Sequence, residues 1–188
     1  MGLARLEKLK EEFPLHITYK TFYLKPDTPE EGIIREIREG HEPGTIVDGH
    51  LGDAAIDAGI IMKRSPIVPN SRLSFEASEF AKDKGLFPEF HTACYKAFWE
   101  NGVNLGDPEV LCDLAQGVGL NPEELQTHLQ AGTYTQQTRD QYDEALKLGI
   151  RAIPSFIIGP YLFSGAQPYE FFQEVARRAQ DGNPQTLH

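Results

Sequence analysis

The sequence has two cysteines in 188 residues, Cys94 and Cys112, and no C-x-x-C spacing. That excludes a zinc knuckle and a local redox pair built from these residues. Each cysteine sits in a helix-like stretch ("HTACYKAFWE", "EVLCDLAQGVG"), where a reduced thiol behaves as a small apolar side chain. We expect both to be buried and free. Positive charge is also scarce: 18 Lys and Arg against 28 Asp and Glu give a formal charge of −10. Such a chain lacks the basic surface that non-specific binding to nucleic acid or to an anionic membrane requires. No apolar run is long enough to span a bilayer. The opening "MGLARLEKLKEEF" is charged and amphipathic, without the apolar centre of a secretory signal. Gly2 is followed by Leu6 where a myristoylation signal needs Ser or Thr. His41 and His50, near Asp48 and Asp53, do not have the spacing of a standard metal site, so no metal is expected. These absences predict a cytoplasmic protein with neither nucleic acid nor membrane as partner.

What is present is a series of amphipathic segments with clear stops. Leu3, Leu6, Leu9 and Phe13 recur at helical spacing among charged residues, and Pro14 ends that helix. It begins at Met1 or Gly2 with no cap residue ahead of it. "HITYKTFYL" is β-branched and aromatic with polar residues interleaved, which predicts a strand from Ile17 to Leu24. "KPDTPEEG" reads as a turn, because Pro26 and Pro29 cannot continue a strand. "PEEGIIREIREG" then reads as a short helix, and another helical piece runs from about Gly52 to Ala58. From Asn70 to about Leu148 the pattern is helical almost throughout. "NSRLSFEASEFAKDKG" opens with Asn70 or Ser71 as cap, and "FPEFHTACYKAFWENG" closes at Gly102. "DPEVLCDLAQGVG" and "NPEELQTHLQAG" each begin with a cap residue followed by a first-turn proline. "YTQQTRDQYDEALKLG" ends at Gly149. "AIPSFII" and "YLFSGA", separated by "GP", predict an antiparallel hairpin. "QPYEFFQEVARRAQDG" predicts a last helix stopped by Gly182 and followed by the tail "NPQTLH". Tyr95, Phe98 and Trp99, close together on one helix, read as core.

A helix that opens a chain and feeds a strand is the second half of a β–α–β unit, so one parallel strand is missing from this order. With that strand restored, the order resembles an α/β thioredoxin-like fold carrying an all-helical inserted domain. "FYLKPDTPEEG", "VPNSRLSFEASEFAKDKG", "GIRAIPSFII" and "FSGAQPYEFF" resemble, in sequence order, four segments of the FrnE-like branch of the DsbA family. The same superfamily includes 2-hydroxychromene-2-carboxylate isomerases and kappa-class glutathione transferases. The resemblance divides the chain into a split thioredoxin-like domain, 1–27 and 147–188, and an insertion, 28–146.

In that family a first strand leads into a Cys-Pro-Trp-Cys-Tyr-like motif at the head of the first helix, directly before a segment like "GLARLEKL". Met1 stands where that motif would just have ended. The resemblance therefore implies ~15 further residues ahead of Met1, a strand plus the motif. It places no catalytic residue in this chain, so the 188-residue form is expected to be inactive in thiol–disulfide exchange. It implies a cis Ile153–Pro154 bond that turns the backbone of Ile153 outward, toward an extended peptide or glutathione. Gln167 and Asn70 are the other candidate substrate-binding residues. Each also has a plain role open to it, Gln167 in the cap region of the last helix and Asn70 as the cap of its own. Ser155 lines the same edge or is simply a small strand residue. The implied activity is that of a thiol–disulfide oxidoreductase or isomerase acting on protein thiols and disulfides. Two alternatives stand beside it. One is a glutathione-dependent isomerase or transferase, with glutathione as co-substrate and no bound cofactor. The other is a non-catalytic protein that binds peptides or a partner. The open sheet edge also allows a homodimer.

Overall fold

The computed structural model describes residues 2–57, 59–165 and 167–182. The chain divides into two units, one from Met1–Tyr19 with Ala145–His188 and the other Lys20–Glu144. The expected boundary after residue 27 differs: residues 20–27 cluster with the insertion. The reason is local bonding, since Thr21 N donates to Gln141 Oε1 at 2.6 Å and the Tyr23 hydroxyl to Thr138 Oγ1 at 2.9 Å.

The first unit is built from α1 (Gly2–Glu12), the strands β3 (Ser155–Ile158) and β4 (Tyr161–Ser164), and α8 (Tyr169–Gln180). Helix α1 buries Leu6 and Leu9, with Phe13 behind them, and ends ahead of Pro14, which has no N–H to continue the ladder. Helix α8 buries Phe172, Val175 and Ala176, an i, i+3, i+4 stripe. The hairpin pairs Phe156 with Phe163 and Ile157 with Leu162. On its inner face Phe156 and Phe163 stack with centroids 5.3 Å apart, and Phe172 meets both edge-on at 4.8 and 5.1 Å. Its turn needs Gly159, whose φ is +57 and where a Cβ would come within 2.9 Å of Ala179 Cβ.

Residues 17–24, predicted as a strand, join neither sheet among the described residues. Burial still alternates from Leu15 to Thr21 in the two-residue rhythm of a strand. Leu15 and Ile17 pack on the cluster that contains Leu9 and Phe172. Alternation is a local property of an extended chain with one buried face; a strand also needs a neighbour to pair with.

The second unit contains β1 (Ile33–Ile34), α2 (Gly49–Asp57), β2 (Ile67–Val68), α3 (Arg72–Asp83), α4 (Phe87–Asn101), α5 (Pro108–Gly117), α6 (Pro122–Ala131) and most of α7 (Thr135–Lys147). The predicted helices of 70–148 are present, and the caps act as read. Asp107 accepts from Glu109 N and Asn121 from Glu124 N, both at 2.9 Å. Gly102 and Gly132 end α4 and α6 in the left-handed conformation. Phe80, Phe90, Leu111, Ala115 and Leu125 form the fully buried centre.

The insertion is not all-helical, which corrects the expectation. β1 pairs antiparallel with β2, and Ile46 forms an isolated bridge with Lys63. "PEEGIIREIREG" accordingly is not a helix; Gly32 sits at φ +79, where a Cβ would lie 2.8 Å from Val68 O. Tyr95, expected in the core, is 51% exposed and stacks on His91 with centroids 4.5 Å apart. Met1, Ala58, Ala166 and the tail 183–188 lie outside the described residues, so the predicted helix start at Met1, the helix end at Ala58 and part of "FSGAQPYEFF" are untouched by these observations.

Candidate functional site

The four residues singled out in the sequence fall in both units. Ile153, Pro154 and Gln167 lie at one end of the hairpin in the first unit, and Asn70 lies in the second.

The hairpin end is built as follows. The Ile153–Pro154 peptide bond is cis. The carbonyl of Pro154 accepts from Gly165 N at 2.8 Å, which extends the β3–β4 pairing by one step. Ser155 Oγ donates to Ala152 O at 2.7 Å and lies 2.6 Å from Ser164 Oγ. Gln167 Nε2 donates to Ser164 O at 2.9 Å. Ser155, Ser164 and Gln167 therefore hold the strand ends in place. Ile153, half exposed, makes no backbone hydrogen bond among the described residues. An N–H and C=O without such partners can pair with an added extended chain.

Helix α1 begins against this edge. A Cβ at Gly2 would lie 2.9 Å from Phe156 Cζ and 3.4 Å from Pro154 Cγ, so glycine permits the approach. A helix N-terminus carries unsatisfied N–H groups and the positive end of the dipole. The first turn of α1 contains no acidic residue to offset it. The first described turn of α1 thus lies beside a backbone segment that has no backbone partner among the described residues.

The chain's own thiols are not placed for that chemistry. Cys94 is buried in α4 and Cys112 is partly buried in α5, and both are free. Burial pushes the Cys94 thiol up to about 12. Burial also raises Cys112, helped by the carboxylates of Asp113, Glu123 and Glu109, and its Sγ donates to Pro122 O. Neither is a thiolate near neutral pH. Asn70 works as a staple: its Oδ1 accepts from Arg72 N at 2.9 Å and its Nδ2 donates to Thr28 O at 2.6 Å. Sequence reasoning missed the cavity beside it, lined by Tyr23, Lys25, Arg72, Arg139 and Tyr142. These residues come from three separate stretches, and no motif links them.

The comparisons follow this geometry. Residues 1–176 match the family model of a DSBA-like thioredoxin domain. The chain is 34% identical over 111 residues to the uncharacterized protein YwbO of Bacillus subtilis (strain 168), over 57% of this chain and 54% of that relative, about half its length. A crystal structure of a probable DsbA oxidoreductase from Streptomyces coelicolor superimposes with a TM-score of 0.79 at 23% identity, covering 100% of this chain and 87% of the other. A 2-hydroxychromene-2-carboxylate isomerase superimposes with a TM-score of 0.64 at 17% identity, covering 95% and 90%. At these identities the structures establish the shared thioredoxin-like fold.

Proposed function

We infer the function from one premise: this chain belongs to the DSBA-like thioredoxin domain family. On that premise it is a thiol–disulfide oxidoreductase or isomerase of the FrnE-like branch, acting in the cytoplasm on protein thiols and disulfides. The observation that carries the reading is the head of α1 seated against Pro154, beside the unpaired backbone of Ile153. An extended substrate pairs with Ile153; the thiolate that the family reaction uses to attack its disulfide is not a residue of α1, which contains no cysteine. One sulfur–sulfur bond breaks as a mixed disulfide forms, and a second thiol resolves it, leaving the enzyme oxidised and the substrate reduced.

Cys94 and Cys112 do not serve as that pair, so these 188 residues alone are inactive in exchange. The assay is reduction of insulin by dithiothreitol. We expect no acceleration over the uncatalysed reaction, and clear turnover would show that one of these thiols does act. The edge itself is tested separately, by titrating the protein with an unstructured peptide and following backbone amide shifts. Shifts centred on residues 152–156 are expected; a peptide that leaves them unmoved removes the substrate-binding role of Ile153 and Pro154.

A second reading, glutathione use, is favoured by the anion-attracting end of α1 and by the fold shared with the isomerase. Calorimetric titration with reduced glutathione and with an unstructured peptide of similar length separates the two: glutathione use predicts clearly tighter binding of glutathione.

A further inference from the structure

The cavity missed by sequence reasoning lies wholly in the second unit and has a volume of about 280 Å³. Its lining holds three cations, Lys25, Arg72 and Arg139, against one carboxylate, Asp143. That surplus of positive charge stands out in a chain of net charge −10. Arg72 is partly neutralised, with Nη1 at 3.0 Å from Glu76 and Nη2 at 3.6 Å from Glu30. Lys25 and Arg139 have no ion-pair partner among the described residues. Cations gathered in one concavity repel one another, and with 28 acidic residues in the chain a purely structural cluster would have counter-charges to draw on.

The walls are held in place without a ligand. Asn70 ties the start of α3 to Thr28 O. The Tyr23 ring meets Tyr142 edge-on at 5.4 Å, and its hydroxyl is bonded to Thr138. Burial raises the Tyr23 hydroxyl above its ordinary value; its bond to Thr138 works against this, Glu76 adds to it, and Arg139 and Arg72 oppose it. Ser71, also in the wall, makes no capping bond with its side chain. The concavity is smaller than the usual range of roughly 300–1,000 Å³, and most of its lining residues are polar or charged, with Lys25 and Arg139 exposed, which suits a small charged ligand rather than an apolar one.

We propose that this cavity binds the oxyanion of a small ligand, a carboxylate or a phosphate group, with Arg139 and Lys25 as its charge contacts and Arg72 as a third, pre-positioned cation. The residues that carry it all lie in the second unit.

The test uses the whole chain in chloride-free buffer, titrated with succinate and, separately, with inorganic phosphate. Calorimetry gives the affinity, and backbone amide shifts give the location. Saturable binding in the millimolar range or tighter is expected, with shifts confined to residues 23–26, 70–72 and 139–143. A preference for succinate assigns a carboxylate ligand, and a preference for phosphate a phosphorylated one. Arg139→Gln and Lys25→Gln should each weaken binding about tenfold or more, the scale of a lost charge-assisted contact. Lys96→Gln, an exposed charge on α4, should bind as the parent does. Binding of neither anion, shifts mapping elsewhere, or unchanged affinity in both cavity variants would overturn the proposal. The shift map needs only the parent protein, so the result does not depend on a variant that folds.

Discussion

The first unit fills its core with aromatic rings, Phe156, Phe163 and Phe172, packed between a hairpin and two helices. The second fills its core with residues from four helices, Phe80, Phe90, Leu111, Ala115 and Leu125, and ties α3 to α7 through two buried carboxylates. Glu76 accepts from Arg72 and Thr135 at 3.0 Å, and Glu79 from Lys82 and Gln137 at 2.6 and 2.7 Å. The consequences at the surface differ as much. The helices of the second unit close their own backbone bonds and present side chains, while its non-helical stretch exposes Ile33, Ile34, Ile37 and Ile46. The hairpin leaves backbone and apolar groups outward, with Ile153 and the cross-strand pair Ile157 and Leu162 all about half exposed. The proposed peptide-binding edge lies in the first unit, and the proposed anion cavity in the second.

The largest expected effect probes the two cores directly. Phe80→Ala opens a cavity among helices that already interlock and should cost about 3–5 kcal/mol in urea unfolding. Phe172→Ala removes a ring from a cluster whose outer hairpin face is exposed and freer to collapse, so its cost should fall at the low end, about 3 kcal/mol. Equal or reversed costs would mean that the aromatic core is as tightly constrained as the helical one.

Acid sharpens the comparison. His91, in the second unit, is depressed to about 4, first by burial and then by Lys82, against its ordinary value near 6.5. The unfolded chain therefore binds a proton that the folded chain refuses. Stability is intact above pH 6.5 and declines as pH falls toward 4, by up to about 3 kcal/mol. In the first unit Glu12 is lowered by the hydroxyl of Tyr169 and by Gln173, and its contribution fades only below the ordinary carboxylate range. Melting temperatures followed from pH 7 to pH 4 should fall more steeply for the parent than for His91→Phe. Parallel curves would show that His91 titrates normally.

The helices of 70–148 were legible because their starts and stops are written in adjacent residues. Asp107-Pro108, Asn121-Pro122, Gly102 and Gly132 carry capping chemistry that needs no distant partner. The hairpin was legible for the same reason, through Gly159-Pro160. The failures are the non-local features. Leu15 to Thr21 have a strand's alternation without joining a ladder among the described residues, and the two-residue β1 and β2 are too short to leave a periodic signal. Ile33, Ile34 and Ile37 have helical spacing, yet all three are exposed in a segment whose turn is set by Gly32. At the site, the Pro154 edge was legible through family resemblance. The Lys25, Arg72 and Arg139 cluster was not, because it exists only once α3 and α7 are packed.

The smallest expected effect tests whether local capping really stabilises the second unit. Asp107 and Asn121 each satisfy one N–H at the head of a helix, α5 and α6, that would otherwise be orphaned. Helix α8 of the first unit starts at Pro168, which offers no side-chain cap. Asp107→Ala and Asn121→Ala should each cost about 1 kcal/mol. Pro168→Ser, which offers α8 a hydroxyl, should return a few tenths of a kcal/mol at most, because α8 is held chiefly by Phe172, Val175 and Ala176. Urea midpoints for the three variants measure this. A large gain from Pro168→Ser would show that the first unit, like the second, is limited by its helix ends rather than by its aromatic core.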